Sequence, residues 1–245
     1  VGINKCLIMD NKINNYIQKL ESKVGETTQM SIRVGINTDS FLIQPNLKNS
    51  KIKTNTGQKY YYEKINDKNF QISSPSFFQV NSNQISKMTE IILSLIENID
   101  KELVVDAYAG VGTFGIMLNE KFKKIIGIEQ SYSAVVDARS NIKNLDNYEM
   151  IIGNSEEIIS AIKTKIDLLI LDPSRKGCDE KLIENLILQP VKNIIYISCD
   201  PKTLARDLKM LTQNCVYEIR SINPIDLFPN THHVESITLL TLKNN

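Results

Sequence analysis

The stretch LVVDAYAGVGTFGIMLNEKFKKIIGIE, residues 103–129, carries the pattern that decides the fold. An apolar run, Leu103–Ala107, is followed by a glycine-containing turn, an amphipathic helix that starts at Thr113 and a second apolar run, Lys124–Glu129. Strands of a parallel sheet are buried on both faces and are therefore almost continuously apolar. Strand, turn, helix and strand in this order predict one βαβ unit of such a sheet.

The same alternation continues through most of the remaining chain. We predict further strands at 149–152, 167–172 and 193–198, and further helices at 132–143, 156–164, 180–188 and 202–212. Residues 215–222 and 235–243 are strand-like, and the loop between them contains Pro224 and Pro229 but no helix, which predicts antiparallel pairing. The predicted fold class is α/β: a doubly wound, Rossmann-like sheet with an antiparallel last strand.

Residues 1–80 have a different pattern. We expect one helix at 8–22 and short β-like runs at 30–35, 40–44, 59–65 and 69–72. The segment SSPSFFQVN, residues 73–81, contains turn-forming residues and is interpreted as a linker. The chain is therefore divided into a small helix-plus-β-rich region, residues 1–80, and a larger domain, residues 81–245.

Composition narrows the function classes. The chain has 245 residues, 42% of them hydrophobic, and a formal net charge of +1, so nucleic acid would bind to a local patch rather than a global positive field. The four cysteines are widely spaced without a CxxC pair, which predicts neither a disulfide framework nor a metal site and fits the reducing cytoplasm. No apolar run is long enough for a membrane span. We expect a monomer without a protein partner, and the start at Val1 favours a fragment of a longer chain.

One cysteine stands in a special context. Cys199 lies in SCDPKTLARD, at the end of an apolar strand and directly before a predicted helix, with Asp200 as N-cap and Pro201 as first helical residue. The positive helix N-terminus and the nearby Lys202 and Arg206 predict a lowered pKa for the thiol. The alternative, equally open from these residues alone, is a small apolar residue that ends a buried strand.

The turn after the first parallel strand indicates a cofactor site. Asp106 precedes GVGTFG, in which Gly110 lets a backbone approach a ligand closely, and Glu129 ends the next strand where an acid would hold ribose hydroxyls. A ribose-containing cofactor is therefore favoured over a merely structural turn. Asp106 would repel the phosphates of a nicotinamide cofactor but attract the sulfonium and amino group of S-adenosylmethionine.

Polar residues also follow the later strands. Asn154 follows the third strand, Asp172 ends the fourth and Cys199 follows the fifth. Ligands of open α/β sheets bind at the carboxyl ends of the strands, so these residues are expected to converge on one crevice. For Asp172 taken alone, a solvated loop carboxylate is the ordinary alternative.

Five motifs then resemble one family: SSPSFFQVN, DAYAGVGTFG, DPSRKG, SCDPKTLARDL and HHVESITLL. In this order they are similar to the S-adenosylmethionine-dependent RNA uracil-5 methyltransferases, over essentially the whole chain. The resemblance implies a class I methyltransferase fold, Cys199 as nucleophile and Glu235 as general base. It also implies cofactor positions at Gln79, Tyr108, Thr113, Glu129, Asn154 and Asp172. Tyr108 replaces the phenylalanine of many members and Asn154 the aspartate of some. Without the motif, Glu235 would be read as a solvated residue at the start of a strand.

The chemistry asks for the same groups. Carbon 5 of uracil is a poor nucleophile until a thiolate adds to carbon 6, and a base must later remove the proton from carbon 5. The target base must leave its stack, so RNA is the expected partner. Lys202 and Arg206 are expected to hold phosphates, although a solvated helix face explains them equally well. Phe77, Phe78 and Phe228 are candidates for base stacking, with core packing as the alternative for the first two.

Departures from the family concern the substrate. Many members carry an N-terminal OB-like domain, and some bind an iron-sulfur cluster through four cysteines. We interpret this chain as a catalytic fragment without that domain, and Cys6 resembles the fourth cysteine position. We expect 23S rRNA as the substrate rather than transfer RNA. The alternatives are a noncatalytic RNA-binding module of the same fold, a methyltransferase for another substrate and a nicotinamide enzyme.

Overall fold

The computed structural model describes residues 3–213 and 216–243. In chain order its elements are α1 (Asn11–Leu20), β1 (Ser31–Val34), β2 (Phe41–Gln44), β3 (Tyr60–Ile65), β4 (Lys68–Ser73), α2 (Ser82–Leu95), β5 (Leu103–Ala107), α3 (Thr113–Leu118), β6 (Lys124–Glu129), α4 (Tyr132–Asn141), β7 (Tyr148–Ile152), α5 (Ser155–Ala161), β8 (Leu168–Leu171), α6 (Glu180–Leu188), β9 (Asn193–Ser198), α7 (Pro201–Gln213), β10 (Tyr217–Ile225) and β11 (Glu235–Leu242).

A seven-stranded sheet with the order β10-β11-β9-β8-β5-β6-β7 forms the centre of the larger part of the chain. The five strands from β9 to β7 in that order are parallel, and β11 pairs antiparallel with both β9 and β10. This confirms the predicted α/β class and the antiparallel last strand. The chain order reverses between β5 and β8, so the carboxyl ends of these neighbouring strands flank a crevice.

The central strands are buried because helices cover both faces. All residues of β5, β8 and β9 are buried, which explains why the sequence there is almost continuously apolar. Two hydrophobic clusters lie on the two sides of the sheet. None of the helices in the described part of the chain is both long and apolar enough to cross a lipid bilayer.

The N-terminal part consists of α1 and two separate antiparallel hairpins, β1-β2 and β3-β4. These four strands match the four predicted runs within one residue at each end. One hydrophobic cluster includes Phe70 and Ile72 of β4 together with Val104 of β5. The division into two domains at residue 80 stays a prediction.

Two features differ from the sequence-based prediction. The sequence-based prediction contains no helix at residues 82–95, where the structure has α2. Ile85, Met88 and Ile92 recur there at helical spacing and line the buried face of the helix. The prediction also placed Pro224 in a loop, whereas β10 continues through it to Ile225. Proline is tolerated there because β10 is an edge strand, where a missing N–H costs no ladder hydrogen bond on the open side. Cys215, the predicted start of that strand, lies outside the described residues.

A buried carboxylate ties the linker to the sheet domain. Asp137 on α4 is almost fully buried, and its Oδ2 accepts hydrogen bonds from the Ser73 N–H at 2.8 Å and from the Ser73 and Ser76 hydroxyls at 2.6 Å each. The Ser76 carbonyl in turn accepts from Arg33 at 2.6 Å. These bonds fix the segment that leads directly into Phe77, Phe78 and Gln79.

We expect Asp137→Ala to lower the free energy of unfolding by about 3 kcal/mol, because it leaves buried donors without their acceptor. Urea denaturation followed by circular dichroism measures the change. Asp146→Ala is the matched control, since Asp146 is exposed. A loss no larger than that of the control would show that the Asp137 hydrogen bonds do not stabilise the linker.

Candidate active site

Pairing between β9 and β11 brings a thiol and a carboxylate together. Ser236 lies opposite Ser198 in the antiparallel register, so the adjoining residues Glu235 and Cys199 lie side by side at the carboxyl end of β9. Asp172 follows β8, the parallel neighbour of β9, at the same edge. Three residues distant in sequence therefore share one end of the sheet.

Helix α7 begins as the sequence predicts. Pro201 is its first residue, and Asp200 Oδ1 accepts from the N–H groups of Lys202 at 2.8 Å and Thr203 at 3.2 Å. This is an N-cap interaction, which occupies helix-end donors that would otherwise be free for a ligand or for the thiol. The cap also lowers the pKa of Asp200.

The expected lowering of the Cys199 pKa is wrong. Cys199 is half-buried, and burial together with the charges of Glu235 and Asp172 raises its pKa, while Arg175 acts in the opposite direction. Arg206, predicted to help the thiol, instead pairs with the fully buried Asp207 at 2.7 Å. The thiol thus faces carboxylates that the local sequence does not reveal.

Glu235 is not the solvated residue that its position at the start of a strand suggested. It is 2% exposed, and burial raises its pKa to about 7. Half-buried Asp172 also has a pKa well above its ordinary value, because of burial first and then the charges of Glu235 and Asp106. A carboxyl group with a pKa near neutrality exchanges protons readily at physiological pH, as general bases do.

The glycine turn after β5 has the features of a ligand cradle. Gly110, at φ +55°, has nothing within 4 Å of where a Cβ would lie, so the space above its backbone is open. Tyr108, at φ +66°, also has a left-handed backbone, which is uncommon for a residue other than glycine. Backbone strain of this kind is concentrated at ligand-binding sites.

Two acids flank this turn. Asp106 is fully buried; its Oδ2 accepts from the Gly115 N–H at 3.0 Å, its Oδ1 has no hydrogen-bond partner among the described residues, and burial raises its pKa to about 7. Glu129 accepts from the N–H groups of Gly110 at 2.9 Å and Ser131 at 2.7 Å. An unpartnered buried oxygen, open backbone and a carboxylate at the end of β6 fit a cofactor with a ribose and a cationic end.

The remaining predicted residues lie around this edge with different exposure. Thr113 begins α3, Asn154 is exposed at the start of α5, and Gln79 is half-buried at the end of the linker. The Tyr108 hydroxyl donates to Glu156 at 3.3 Å, a partner that the sequence did not suggest.

The aromatic and basic residues predicted to contact RNA differ in solvent exposure. Phe77 is 69% exposed, whereas Phe78 is 7% exposed and belongs to the core, so only the first remains available for stacking. Lys202 is exposed on α7. Arg175 was not singled out by the sequence analysis, although it stands in the DPSRKG motif. Within the described residues, no group of three or more His, Cys, Asp or Glu side chains is arranged to hold a metal ion.

The family model and the relatives that this chain matches all describe RNA methyltransferases. Residues 15–243 match the family described as tRNA (Uracil-5-)-methyltransferase. A Fusobacterium nucleatum protein named as an uncharacterized RNA methyltransferase is 36% identical over 244 residues, which cover 97% of this chain and 52% of that protein. A similarly named Oceanobacillus iheyensis protein is 41% identical over 79% of this chain and 43% of its own length. The chain thus spans about half the length of these relatives.

A solved structure extends the similarity to nearly all of the fold. The crystal structure of Pyrococcus abyssi tRNA (uracil-54, C5)-methyltransferase in complex with S-adenosyl-L-homocysteine matches with a TM-score of 0.80 and 26% sequence identity. The match covers 98% of this chain and 70% of that chain. It includes the N-terminal hairpins as well as the sheet domain.

The pKa of Asp106 predicts a pH-dependent stability. The folded protein keeps this proton up to about pH 7, whereas the unfolded chain releases it near the ordinary value of 3.8, so stability falls as pH rises through this window. We expect Asp106→Asn to remove about 2 kcal/mol of the decrease in unfolding free energy between pH 5 and pH 7.5. Urea denaturation of the cofactor-free protein at both pH values measures it.

Asp146→Asn, at an exposed position, is the control and should retain the wild-type slope. Glu235 and Asp172 have raised pKa values too, so the Asp106→Asn protein should keep a smaller slope of the same sign. An unchanged slope would contradict a protonated Asp106 in the folded protein.

Proposed function

This chain belongs to the tRNA (uracil-5-)-methyltransferase family, and we propose that it transfers a methyl group from S-adenosylmethionine to carbon 5 of a uridine in RNA. The observation that carries the proposal is the placement of Cys199 beside Glu235 through the β9–β11 register. Both lie at the sheet edge that also carries the glycine turn after β5.

S-adenosylmethionine would be held at that turn. Open backbone at Gly110 would admit the cofactor, Glu129 at the end of β6 would accept hydrogen bonds from the ribose hydroxyls, and Asp106 would offer its unpartnered buried oxygen. The other proposed cofactor residues are Gln79, Tyr108, Thr113, Asn154 and Asp172. When bound, the cofactor supplies an electrophilic methyl group on a positively charged sulfur. The protein must therefore make carbon 5 of uracil nucleophilic.

Cys199 would perform that activation. Its thiolate attacks carbon 6, a sulfur–carbon bond forms, and the electron pair of the carbon 5–carbon 6 double bond moves toward carbon 5 and the conjugated carbonyl. Carbon 5 would then attack the methyl group of the cofactor, so that a carbon–carbon bond forms, the sulfur–methyl bond breaks and S-adenosylhomocysteine leaves with the electron pair. Loss of the proton from carbon 5 regenerates the double bond and expels the Cys199 sulfur, so that the enzyme is restored.

Glu235 would accept the proton from carbon 5. Its pKa of about 7, raised by burial, makes its carboxylate a stronger base than an exposed glutamate while leaving a large ionised fraction at neutral pH. Its place beside Cys199 supports this role, because carbon 5 is the ring neighbour of the carbon that Cys199 would attack. Geometry and basicity therefore favour the same residue.

The RNA must present a base outside its stack, because Cys199 has to reach carbon 6 while the methyl donor lies at carbon 5. Exposed Phe77 offers a stacking surface, and exposed Lys202 a positive charge for a phosphate. Arg206 is a weaker candidate for phosphate binding, since Asp207 already neutralises it. We place the activity in the cytoplasm, where an unpaired thiol stays reduced.

We propose 23S rRNA as the substrate RNA. Transfer RNA is the second candidate, because the Pyrococcus abyssi structure that matches 98% of this chain is named for uracil 54 of tRNA. A noncatalytic RNA-binding module would need neither a buried general base such as Glu235 nor an accessible thiol such as Cys199 beside it, so this pair favours the enzyme.

With RNA that contains 5-fluorouridine, we expect a covalent protein–RNA adduct to accumulate in the presence of S-adenosylmethionine, because fluorine does not leave carbon 5 as a proton does. Denaturing gel electrophoresis detects the adduct. Cys199→Ala should abolish it, and Cys6→Ala, which removes another free thiol, should leave it unchanged.

The same assay on fluorinated 23S rRNA and fluorinated tRNA identifies the substrate. An adduct on tRNA alone would replace the first candidate with the second. An adduct formed by Cys199→Ala would disprove the nucleophile, and RNA binding without adduct or methyl transfer on either RNA would favour the noncatalytic module.

With ordinary RNA, Glu235→Gln should reduce turnover by a factor of about 100 or more and trap the methylated covalent adduct, because the proton on carbon 5 has no acceptor. Mass spectrometry of the cross-linked peptide shows whether the methyl group has been transferred. Glu184→Gln, at an exposed position on α6, is the control. Normal turnover in the Glu235 variant would remove this residue from the base role.

A further inference from the structure

The loop between β8 and α6 is held against α7, the helix that follows Cys199. Its turn is closed by a hydrogen bond from the Gly177 N–H to the Ser174 carbonyl at 2.9 Å. Arg206 donates to the Lys176 carbonyl at 2.9 Å. The position of this loop, which carries Arg175, is therefore fixed relative to the start of α7.

Asp207 strengthens this attachment from inside the fold. The fully buried carboxylate accepts from the Cys178 N–H at 2.9 Å, from the Tyr196 hydroxyl at 2.6 Å and from Arg206 at 2.7 Å. Arg206 thus acts on the loop and on Asp207. Its charge is neutralised there rather than directed at the thiol.

Arg175 has an uncharged partner instead. Its Nη2 lies 3.4 Å from His233 Nε2, and since arginine has only donors, Nε2 is the acceptor of a neutral imidazole. Burial, Arg175 and the adjacent His232 all lower the pKa of His233, which keeps the ring neutral. Phe228 lies against the same ring, with centroids 6.0 Å apart. Within the described residues no carboxylate lies at ion-pair distance from Arg175, although its charge also lowers the pKa of Asp200.

The groups around Cys199 act in opposite directions. Glu235 from β11 and Asp172 from the end of β8 oppose a negative sulfur, whereas Arg175 favours it. Asp200, which caps α7, interacts with the charges of both Lys202 and Arg175, and of these two cations Arg175 is the one that acts on the thiol. The cation with an effect on the thiol therefore comes from the β8–α6 loop and not from α7.

We propose that Arg175 is a positioning residue that stabilises the thiolate of Cys199, held in place by the Arg206-anchored loop and by neutral His233. The inference rests on the proposed function of Cys199 as the nucleophile. It assigns the activating charge to a residue 24 positions upstream in sequence that reaches the same sheet edge through the parallel β8–β9 pairing.

The test is the pH dependence of Cys199 alkylation by iodoacetamide in the cofactor-free protein, with the modified peptide quantified by mass spectrometry. Only the thiolate reacts, so the midpoint of the rate profile reports its formation. We expect Arg175→Met to raise the midpoint by about one pH unit and to slow alkylation at pH 7.5 by a factor of about 10. Arg175→Lys should restore most of the wild-type profile because it keeps the charge.

Lys176→Met is the matched control, since it removes a positive charge from the neighbouring exposed position of the same loop. Buried Cys178 should stay unmodified in each variant, which shows that the variant is folded. An unchanged midpoint in Arg175→Met, or an equal shift in Lys176→Met, would overturn the inference.

The two proposals fail separately. A fluorouridine adduct formed by the wild type together with an unchanged midpoint in Arg175→Met would reject the role of Arg175 and leave the methyltransferase proposal intact. A shifted midpoint in a protein that forms no adduct with any RNA would support the electrostatic role and reject the proposed reaction.

Discussion

The antiparallel pairing of β11 with β9 is the constraint on which the candidate active site depends. Ser236 opposite Ser198 places Glu235 beside Cys199, and a slip by one residue would turn every side chain of β11 to the other face of the sheet. The hydrophobic core opposes such a slip, because fully buried Ile237 and its neighbours on β11 would lose the apolar contacts that they make in the observed register. The hydrophobic packing of β9 and β11 thus fixes the positions of Cys199 and Glu235 relative to each other, and the proposed reaction depends on that placement.

Burial of acids at the strand ends has a second consequence. Asp106, Asp172 and Glu235 all have raised pKa values, since each is desolvated and Asp172 also feels the other two charges. Like charges so placed are not all ionised at neutral pH. The same surroundings disfavour the thiolate of Cys199, so a cation is needed to offset them. Arg175 fits this need because it lowers the pKa of Cys199 and its hydrogen-bond partner His233 is a neutral ring.

Local sequence patterns predicted the sheet well, because strands buried on both faces leave a signal that does not depend on distant residues. The cap of α7 was predicted for the same reason, since Asp200 acts on amides two and three residues away. The direction of the Cys199 pKa shift was not predicted, because it depends first on burial of the thiol and then on carboxylates that arrive from other strands. The role predicted for Arg206 was wrong because Arg206 pairs with the adjacent Asp207. The sequence alone does not show that this carboxylate is buried and therefore holds the arginine.

Hydrogen bonds connect the linker and the β3-β4 hairpin to the glycine turn after β5. Asp137 holds Ser73 and Ser76 from α4, and Asn141 on the same helix bridges the backbone of Gln71 in β4 to the Val111 carbonyl in the glycine turn at 3.1 Å. A displacement of the β3-β4 hairpin is therefore transmitted to the turn proposed to bind the cofactor. Since the exposed Phe77 follows the same anchored segment, contact between RNA and this aromatic ring would be linked to the proposed cofactor turn through these hydrogen bonds. Fixed placement of substrate relative to methyl donor is what a displacement reaction at a single ring carbon requires.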